Sequence, residues 1–265
     1  MKSFLQYRAF LVTLTLAFAI SACNLGKSPS ENTQEPEPTP TPTPQVAPEV
    51  QGACFNPLFP VVTHATWTYK SKGGYTGDYS FTNTITEVRE DGFTLNTQSE
   101  DTTSSQEWTC TADGLAALSL GGGMAAGINV KGLKFDLVTS NVQGVILPKT
   151  ISPGDQWPYS LDFEGTMELS GLSIDTTGTG TFTFNALGEE SVTVPAGTFN
   201  AMKIHLDMTL DMQATFSGAS TPATLTGSSD IWFAPNVGWV KSVSTGEIMG
   251  SVSNEIIELQ EYSFP

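Results

Sequence analysis

The chain has 265 residues, and its 27 acidic residues against 11 basic ones give it a formal net charge of −16. Such a balance, with no basic cluster, repels nucleic-acid phosphates and excludes nucleic acid as a partner. It also disfavours docking on anionic lipid headgroups without an added anchor.

Residues 1–22 have the features of a bacterial lipoprotein signal peptide. Lys2 and Arg8 lie in a short start that runs into an apolar stretch, residues 10–20, too short to span a membrane. The tetrapeptide Ile20-Ser21-Ala22-Cys23 that follows resembles the lipobox cut by the lipoprotein signal peptidase. That resemblance implies a diacylglyceryl group on the Cys23 thiol. We therefore expect an extracytoplasmic protein, lipid-anchored to the bacterial cell membrane; an ordinary signal peptide with a chance cysteine is the alternative.

Residues 23–51 are predicted to form a disordered linker behind the lipidated cysteine. Pro, Thr, Glu, Ser and Gln dominate this segment, which includes the alternating run from Glu37 to Pro44. A segment of this composition cannot bury enough apolar surface to offset its ordering entropy. Alternating proline favours extended backbone, so the linker is predicted to be a semi-rigid spacer.

Residues 52–265 are predicted to form a single antiparallel β domain. Apolar and polar residues alternate with a period of two throughout, and no stretch has the pattern of a long amphipathic helix. The predicted fold class is all-β, as a curved antiparallel sheet or an open half barrel. Two hundred residues suffice for one such core.

Three cysteines remain in the mature chain, and acylation of Cys23 leaves Cys54 and Cys110 as a pair. In an oxidising compartment such a pair is expected to form a disulfide. Two separate buried thiols are the alternative.

The alternation is clearest between Phe199 and Phe216. Met202, Leu206 and Met208 belong to one apolar face of this segment, and residues such as His205 belong to the polar face. This pattern predicts a long strand, entered from a hairpin turn at residues 195–197. Two further hairpin turns are predicted, at residues 90–92 and at residues 245–247.

Two pairs of motifs suggest that the domain contains two related halves. Trp67-Thr68-Tyr69 matches Trp157-Pro158-Tyr159 near the start of each half. The spacing from Trp108 to Gly114-Leu115 equals that from Trp232 to Gly238-Trp239. Together these matches predict a duplicated β unit.

A family resemblance rests on two strings. Residues 194–199, Val-Pro-Ala-Gly-Thr-Phe, and residues 232–241, Trp-Phe-Ala-Pro-Asn-Val-Gly-Trp-Val-Lys, look like the closing motifs of an uncharacterised family of bacterial envelope lipoproteins. Residues 54–60 resemble the start of such proteins. Some families of this kind are similar to the periplasmic lipoprotein carriers, whose curved antiparallel sheet cups acyl chains, which implies a comparable sheet here.

The sequence contains no recognisable catalytic, metal or cofactor motif. His64 and His205 lack metal-ligand spacing, and there is no Gly-x-Ser-x-Gly or Cys-x-x-Cys. The methionines on one strand face are adaptable side chains, suited either to varied apolar ligands or to an irregular core.

Two functions remain open from the sequence. The first is a non-enzymatic lipoprotein that binds an apolar or amphipathic ligand through Met202, Leu206 and Met208. The second is a structural or protein-interaction lipoprotein of the cell envelope. No catalytic residue, metal or cofactor is predicted for either.

Overall fold

The computed structural model describes residues 52–74, 77–99, 102–120, 133–169, 172–248 and 251–265. Within these ranges the regular structure consists of thirteen β-strands, without an α-helix. The prediction of an all-β fold is therefore confirmed. The same ranges contain no helix with the length and apolar character needed to cross a membrane. Cys23 and the predicted signal peptide and linker lie outside the described residues.

The strands are short in the first part of the chain and long in the second. They are β1 (Thr66–Gly73), β2 (Tyr79–Val88), β3 (Gly92–Ser99), β4 (Thr103–Cys110), β5 (Gly114–Ala117), β6 (Leu133–Gly144), β7 (Leu147–Pro148), β8 (Gln156–Leu169), β9 (Leu172–Val194), β10 (Gly197–Phe216), β11 (Ala219–Ala234), β12 (Gly238–Ile248) and β13 (Ser251–Ser263).

All thirteen strands belong to one antiparallel sheet that curls into a half barrel. Its order is β6-β8-β9-β10-β11-β12-β13-β1-β2-β3-β4-β5-β7. Strands β6 and β7 lie at opposite ends of this order, yet only residues 145 and 146 separate them along the chain. The two ends of the sheet must therefore approach each other, and the Tyr159 hydroxyl on β8 donates a hydrogen bond to the Ala117 carbonyl on β5 across the gap, at 2.5 Å.

The strand order repeats itself, as the matched sequence motifs suggest. A flanking strand and five consecutive strands form one half, β13-β1-β2-β3-β4-β5, and the other half has the same arrangement, β6-β8-β9-β10-β11-β12. The matched tyrosines link the halves reciprocally. Tyr69 on β1 donates to the Trp239 carbonyl on β12 at 2.8 Å, as Tyr159 on β8 donates to Ala117 on β5. In each half, the first of the five consecutive strands is thus hydrogen-bonded to the fifth of the five in the other half.

Two of the three predicted hairpin turns are confirmed. Residues 195–196 turn the chain from β9 into β10, and residues 89–91 join β2 to β3. The turn predicted at 245–247 is wrong, because these residues lie inside β12 and pair with both β11 and β13. Gly246 is opposite Gly227 on β11. A Cβ atom on Gly227 would lie 3.2 Å from Met208 Cε and would crowd that methyl group. The two paired glycines therefore leave space inside the sheet, and Gly246 does not mark a turn.

Residues 52–65 cover one end of the curled sheet. Phe59 stacks on Trp67, with ring centroids 5.3 Å apart, and on Phe93 at 6.0 Å. The buried Asn56 amide donates to the carbonyls of Leu147 and Pro148, at 3.1 and 3.0 Å. The predicted disulfide between Cys54 and Cys110 fastens this segment to the end of β4.

Candidate ligand-binding cavity

A cavity lies inside the curl of the sheet, between β8–β12 on one side and β4–β5 on the other. Its enclosed space is about 70 Å³. That is more than a single water needs, and less than the 300–1,000 Å³ or so of a typical drug-sized site. The cavity is therefore a slender opening in an otherwise packed interior.

Most of the cavity wall is apolar. Because successive residues of a strand point to opposite faces, every second residue of β8, β9 and β10 is directed inwards. These are Tyr159 and Leu161 on β8, Phe182 and Phe184 on β9, and Ile204, Leu206 and Met208 on β10. Leu120, Ile146, Ile231 and Phe233 extend this surface.

A second part of the wall carries hydroxyl and amide groups. Ser229 on β11 and Ser244 on β12 share a hydrogen bond between their hydroxyls at 2.8 Å. The Gln106 side chain on β4 accepts from Trp108 Nε1 and donates to the Ser119 carbonyl, both at 3.0 Å. These polar groups are mutually satisfied, so they add polarity to the wall without demanding a further partner.

Two cavity-lining groups have no hydrogen-bond partner among the described residues. They are the indole Nε1 of Trp239 and the hydroxyl of Ser242, both on β12. Each residue is 2 % exposed. Buried polar groups in folded proteins are nearly always hydrogen-bonded, because an unmade bond costs roughly 1–3 kcal/mol. Their presence together on one cavity wall is the chemically unusual feature of this interior.

No basic or acidic side chain lines the cavity, but one buried carboxyl lies beside its polar wall. Glu255 on β13 is 7 % exposed and pairs across the strands with Ser244. It accepts hydrogen bonds from the Ser71 hydroxyl at 2.6 Å and the Tyr79 hydroxyl at 3.1 Å. Burial raises the pKa of Glu255 above its ordinary value of 4.5, although both hydrogen bonds oppose the rise.

Glu255→Gln is expected to change how the stability of the protein depends on pH. A raised folded-state pKa means that the native carboxyl stabilises fully below its unfolded pKa, near 4.3, and that this contribution is lost as pH rises through the folded pKa. The glutamine side chain of the variant does not titrate, so the variant does not lose this contribution. The free energy of unfolding of the variant, relative to that of the native protein, should therefore increase from pH 4 to pH 7. Urea titrations across this range measure the effect, and Glu261→Gln, an exposed site on β13, is the control. If the difference in the free energy of unfolding between Glu255→Gln and the native protein stays constant over this pH range, the prediction is wrong.

Two of the three ligand-binding residues predicted from the sequence lie in the cavity wall. Leu206 and Met208 line the cavity. Met202 is buried at 5 % exposure opposite Phe233 and is not part of the lining. The sequence analysis missed the aromatic wall of β9 and the polar wall of β12. The alternation Phe182-Thr183-Phe184 signalled the first, whereas nothing in the sequence distinguishes inward serines from outward ones.

His205 belongs to a polar cluster on the outer face of the sheet, away from the cavity. Its Nδ1 lies 2.7 Å from Asp230 Oδ1, and Lys203 Nζ lies 2.9 Å from Asp230 Oδ2. Burial alone would raise the pKa of Asp230, but the hydrogen bonds from His205 and Lys203 outweigh it and lower that pKa. The described residues include no group of three or more His, Cys, Asp or Glu side chains placed to hold a metal ion. The cluster is a link between β10 and β11.

Comparison with known proteins finds one family model that matches part of the chain. A family model described as DUF3108-like matches residues 131–250, which contain β6–β12. No curated protein matches the chain significantly.

Three solved structures are similar to the chain at low identity. A predicted lipoprotein of Parabacteroides distasonis is 17 % identical, with a TM-score of 0.44 over 79 % of this chain and 99 % of that one. A predicted exported protein of Bacteroides fragilis with a YmcC-like fold is 13 % identical, with a TM-score of 0.45 over 77 % and 98 %. The hypothetical lipoprotein YmcC of Escherichia coli is 11 % identical, with a TM-score of 0.33 over 76 % and 85 %.

Proposed function

We propose that this chain is a lipid-anchored protein of the bacterial envelope whose β domain, residues 52–265, binds an apolar or amphipathic ligand without catalysing a reaction. The cavity inside the curled sheet is the observation that carries the proposal. Ligand sites are concave, mainly apolar, and contain a few polar groups that orient the ligand. The lining of this cavity has that composition.

The residues around the cavity favour binding over chemistry. The lining supplies hydroxyl, amide and indole groups, and its only ionisable side chain is Tyr159. Burial raises the pKa of Tyr159, so the phenol stays protonated and serves as a hydrogen-bond donor to Ala117. A protonated phenol engaged in this way is a poor general base.

Replacing Met208 by phenylalanine tests whether the cavity is the binding site. The larger ring should fill part of the 70 Å³ space and weaken binding of an acyl probe by roughly tenfold, since lost apolar burial of about 1.4 kcal/mol corresponds to that factor. Native mass spectrometry of protein purified under gentle conditions, with added monoacylglycerol, measures the bound fraction.

Met202→Phe is the matched control for this experiment, because Met202 lies on the same strand but does not line the cavity. It should alter stability and leave probe binding within about twofold. Equal loss of binding in both variants would indicate a general packing effect and contradict the cavity as the site. A spectrum without lipid adducts, together with a copurifying protein, would favour the alternative of an interaction lipoprotein.

Cys23→Ala is expected to abolish membrane retention. The proposed thioether link to diacylglycerol requires the thiol, which alanine lacks. Two acyl chains hold a protein at a bilayer, whereas loss of both leaves an acidic protein that the surface repels. Fractionation of cells that express each form measures this; Ser21→Ala, which keeps a small residue, is the control. Retention of Cys23→Ala would contradict lipidation.

A further inference from the structure

The polar wall of the cavity indicates what kind of ligand would fit it. Trp239 and Ser242 line the cavity, and the indole Nε1 of Trp239 and the hydroxyl of Ser242 are buried without a hydrogen-bond partner among the described residues. The third such atom, Asn96 Oδ1, does not belong to the cavity lining. Among the described residues, two of the three unsatisfied polar atoms therefore belong to residues of the cavity wall.

The chemistry of these two groups requires an acceptor. An indole N–H only donates a hydrogen bond, and a serine hydroxyl donates as well as accepts. A ligand that satisfies both must present an oxygen with free lone pairs, such as a carbonyl, ester or hydroxyl oxygen. A pure hydrocarbon would leave both groups unpaired at an energetic cost.

The charges around the cavity exclude an ionised head group. None of the lining residues is Lys, Arg or His, so a buried carboxylate or phosphate would have no counter-charge. Glu255, which pairs with Ser244 beside the polar wall, supplies no positive charge either. No carboxylate lines the cavity to pair with a cation either.

The apolar wall of the cavity favours a ligand that also has a hydrocarbon part. Phe182, Phe184, Leu206 and Met208 present rings and alkyl groups to the same space. The unbranched Met208 side chain can change rotamer to admit more of a chain.

We propose that the cavity selects an uncharged acyl ester or amide, with its carbonyl oxygen bound by Trp239 and Ser242 and its chain against the wall formed by β9 and β10. This inference rests on the proposed ligand-binding function and specifies its ligand class. Trp239 and Ser242 would then be specificity-determining residues.

The test compares three probes with one chain length: monopalmitoylglycerol, palmitate at pH 8 and hexadecane. Binding to the mature protein is measured by equilibrium partitioning with radiolabelled probes. We expect the ester to bind at least tenfold more tightly than palmitate. Trp239→Phe and Ser242→Ala should each weaken ester binding by roughly three- to tenfold, as loss of a buried hydrogen bond implies, and should not weaken hexadecane binding.

Two variants control for general damage to the wall. Trp108 and Ser229 also line the cavity, but Trp108 Nε1 already bonds to Gln106 and Ser229 to Ser244. Trp108→Phe and Ser229→Ala should therefore leave the preference for ester over hexadecane intact. Trp239→Phe keeps an aromatic ring and should therefore keep the fold. Thermal unfolding is measured in parallel to identify any loss of fold.

The outcomes separate this inference from the broader function. Equal affinity for ester and palmitate, or ester binding insensitive to both Trp239→Phe and Ser242→Ala, overturns the head-group assignment; sensitivity to Met208→Phe would then preserve ligand binding. A crystal structure with a water bonded to both donors in the presence of the ester also overturns the assignment. If none of the probes binds, both proposals fail.

Discussion

Removal of the disulfide, by replacing both Cys54 and Cys110 with alanine, is expected to lower the free energy of unfolding by about 4 kcal/mol. The two cysteines are bonded and lie 56 residues apart in sequence. A cross-link of this span restricts the unfolded chain, and its loss restores that chain's entropy. Urea denaturation followed by far-ultraviolet circular dichroism gives the free energy for each form.

The bridge also holds a segment whose contacts should weaken with it. Residues 52–65 carry Asn56 and Phe59, which close one end of the sheet. Reductant added to the native protein should reproduce most of the loss, and reductant added to the double variant should have no effect. If the unfolding midpoint of the double variant equals that of the oxidised native protein, the disulfide contributes nothing and the prediction is wrong.

Trp67→Ala should lower the free energy of unfolding by about 3–5 kcal/mol, the range for a buried tryptophan replaced by alanine. Trp67 is 1 % exposed, stacks on Phe59, and donates from Nε1 to the Val237 carbonyl at 2.6 Å. Gly238 fits closely against it, since a Cβ there would lie 3.3 Å from the indole nitrogen and the backbone φ is +108°. The neighbouring chain therefore cannot readily collapse into the space. Urea denaturation measures the loss.

Trp157→Ala is the matched control, because Trp157 occupies the corresponding position in the other half of the sheet. It is only half-buried, although it also stacks, on Phe184 at 5.4 Å, and donates to the Ile146 carbonyl at 3.2 Å. A smaller loss is expected because less of its surface leaves water on folding. Trp67→Phe then separates packing from the hydrogen bond. A loss for Trp157→Ala that equals that for Trp67→Ala would contradict the dependence of the loss on burial.

The architecture was predictable because its signals are local. Alternation in the segment around Leu206 and Leu210 identifies β10 and its buried face, and both residues are buried. Pro195 and Gly197 mark the turn before it, since proline fixes φ and glycine accepts φ of +142° there. These features depend on residues close together in sequence.

The cavity was only partly predictable because it depends on how the sheet curls. In β12 the serines at 242 and 244 face inwards, and Val243 between them is 38 % exposed. Alternation by itself would place the valine inside. Ser244 instead pairs with the buried Glu255 on β13, which accepts a hydrogen bond from Ser71 on β1, so polar partners on other strands determine which residues face inwards. The turn predicted at Gly246 was wrong for the same reason. Gly246 lies opposite Gly227 on β11, and this pair of glycines leaves space inside the sheet.

The pairing of β1 with β13 has a kinetic consequence. Thr66 aligns with Ser263, so a strand near the start of the domain has one neighbour that follows it by most of the length of the domain. Contacts between such distant residues form slowly, because a long loop must close before they stabilise anything. Until β13 is made, β1 and β12 each have one unpaired edge, open to pairing with another copy. We expect the nascent protein to be most prone to aggregation in this interval, and a chain that ends before Ser251 to remain so permanently.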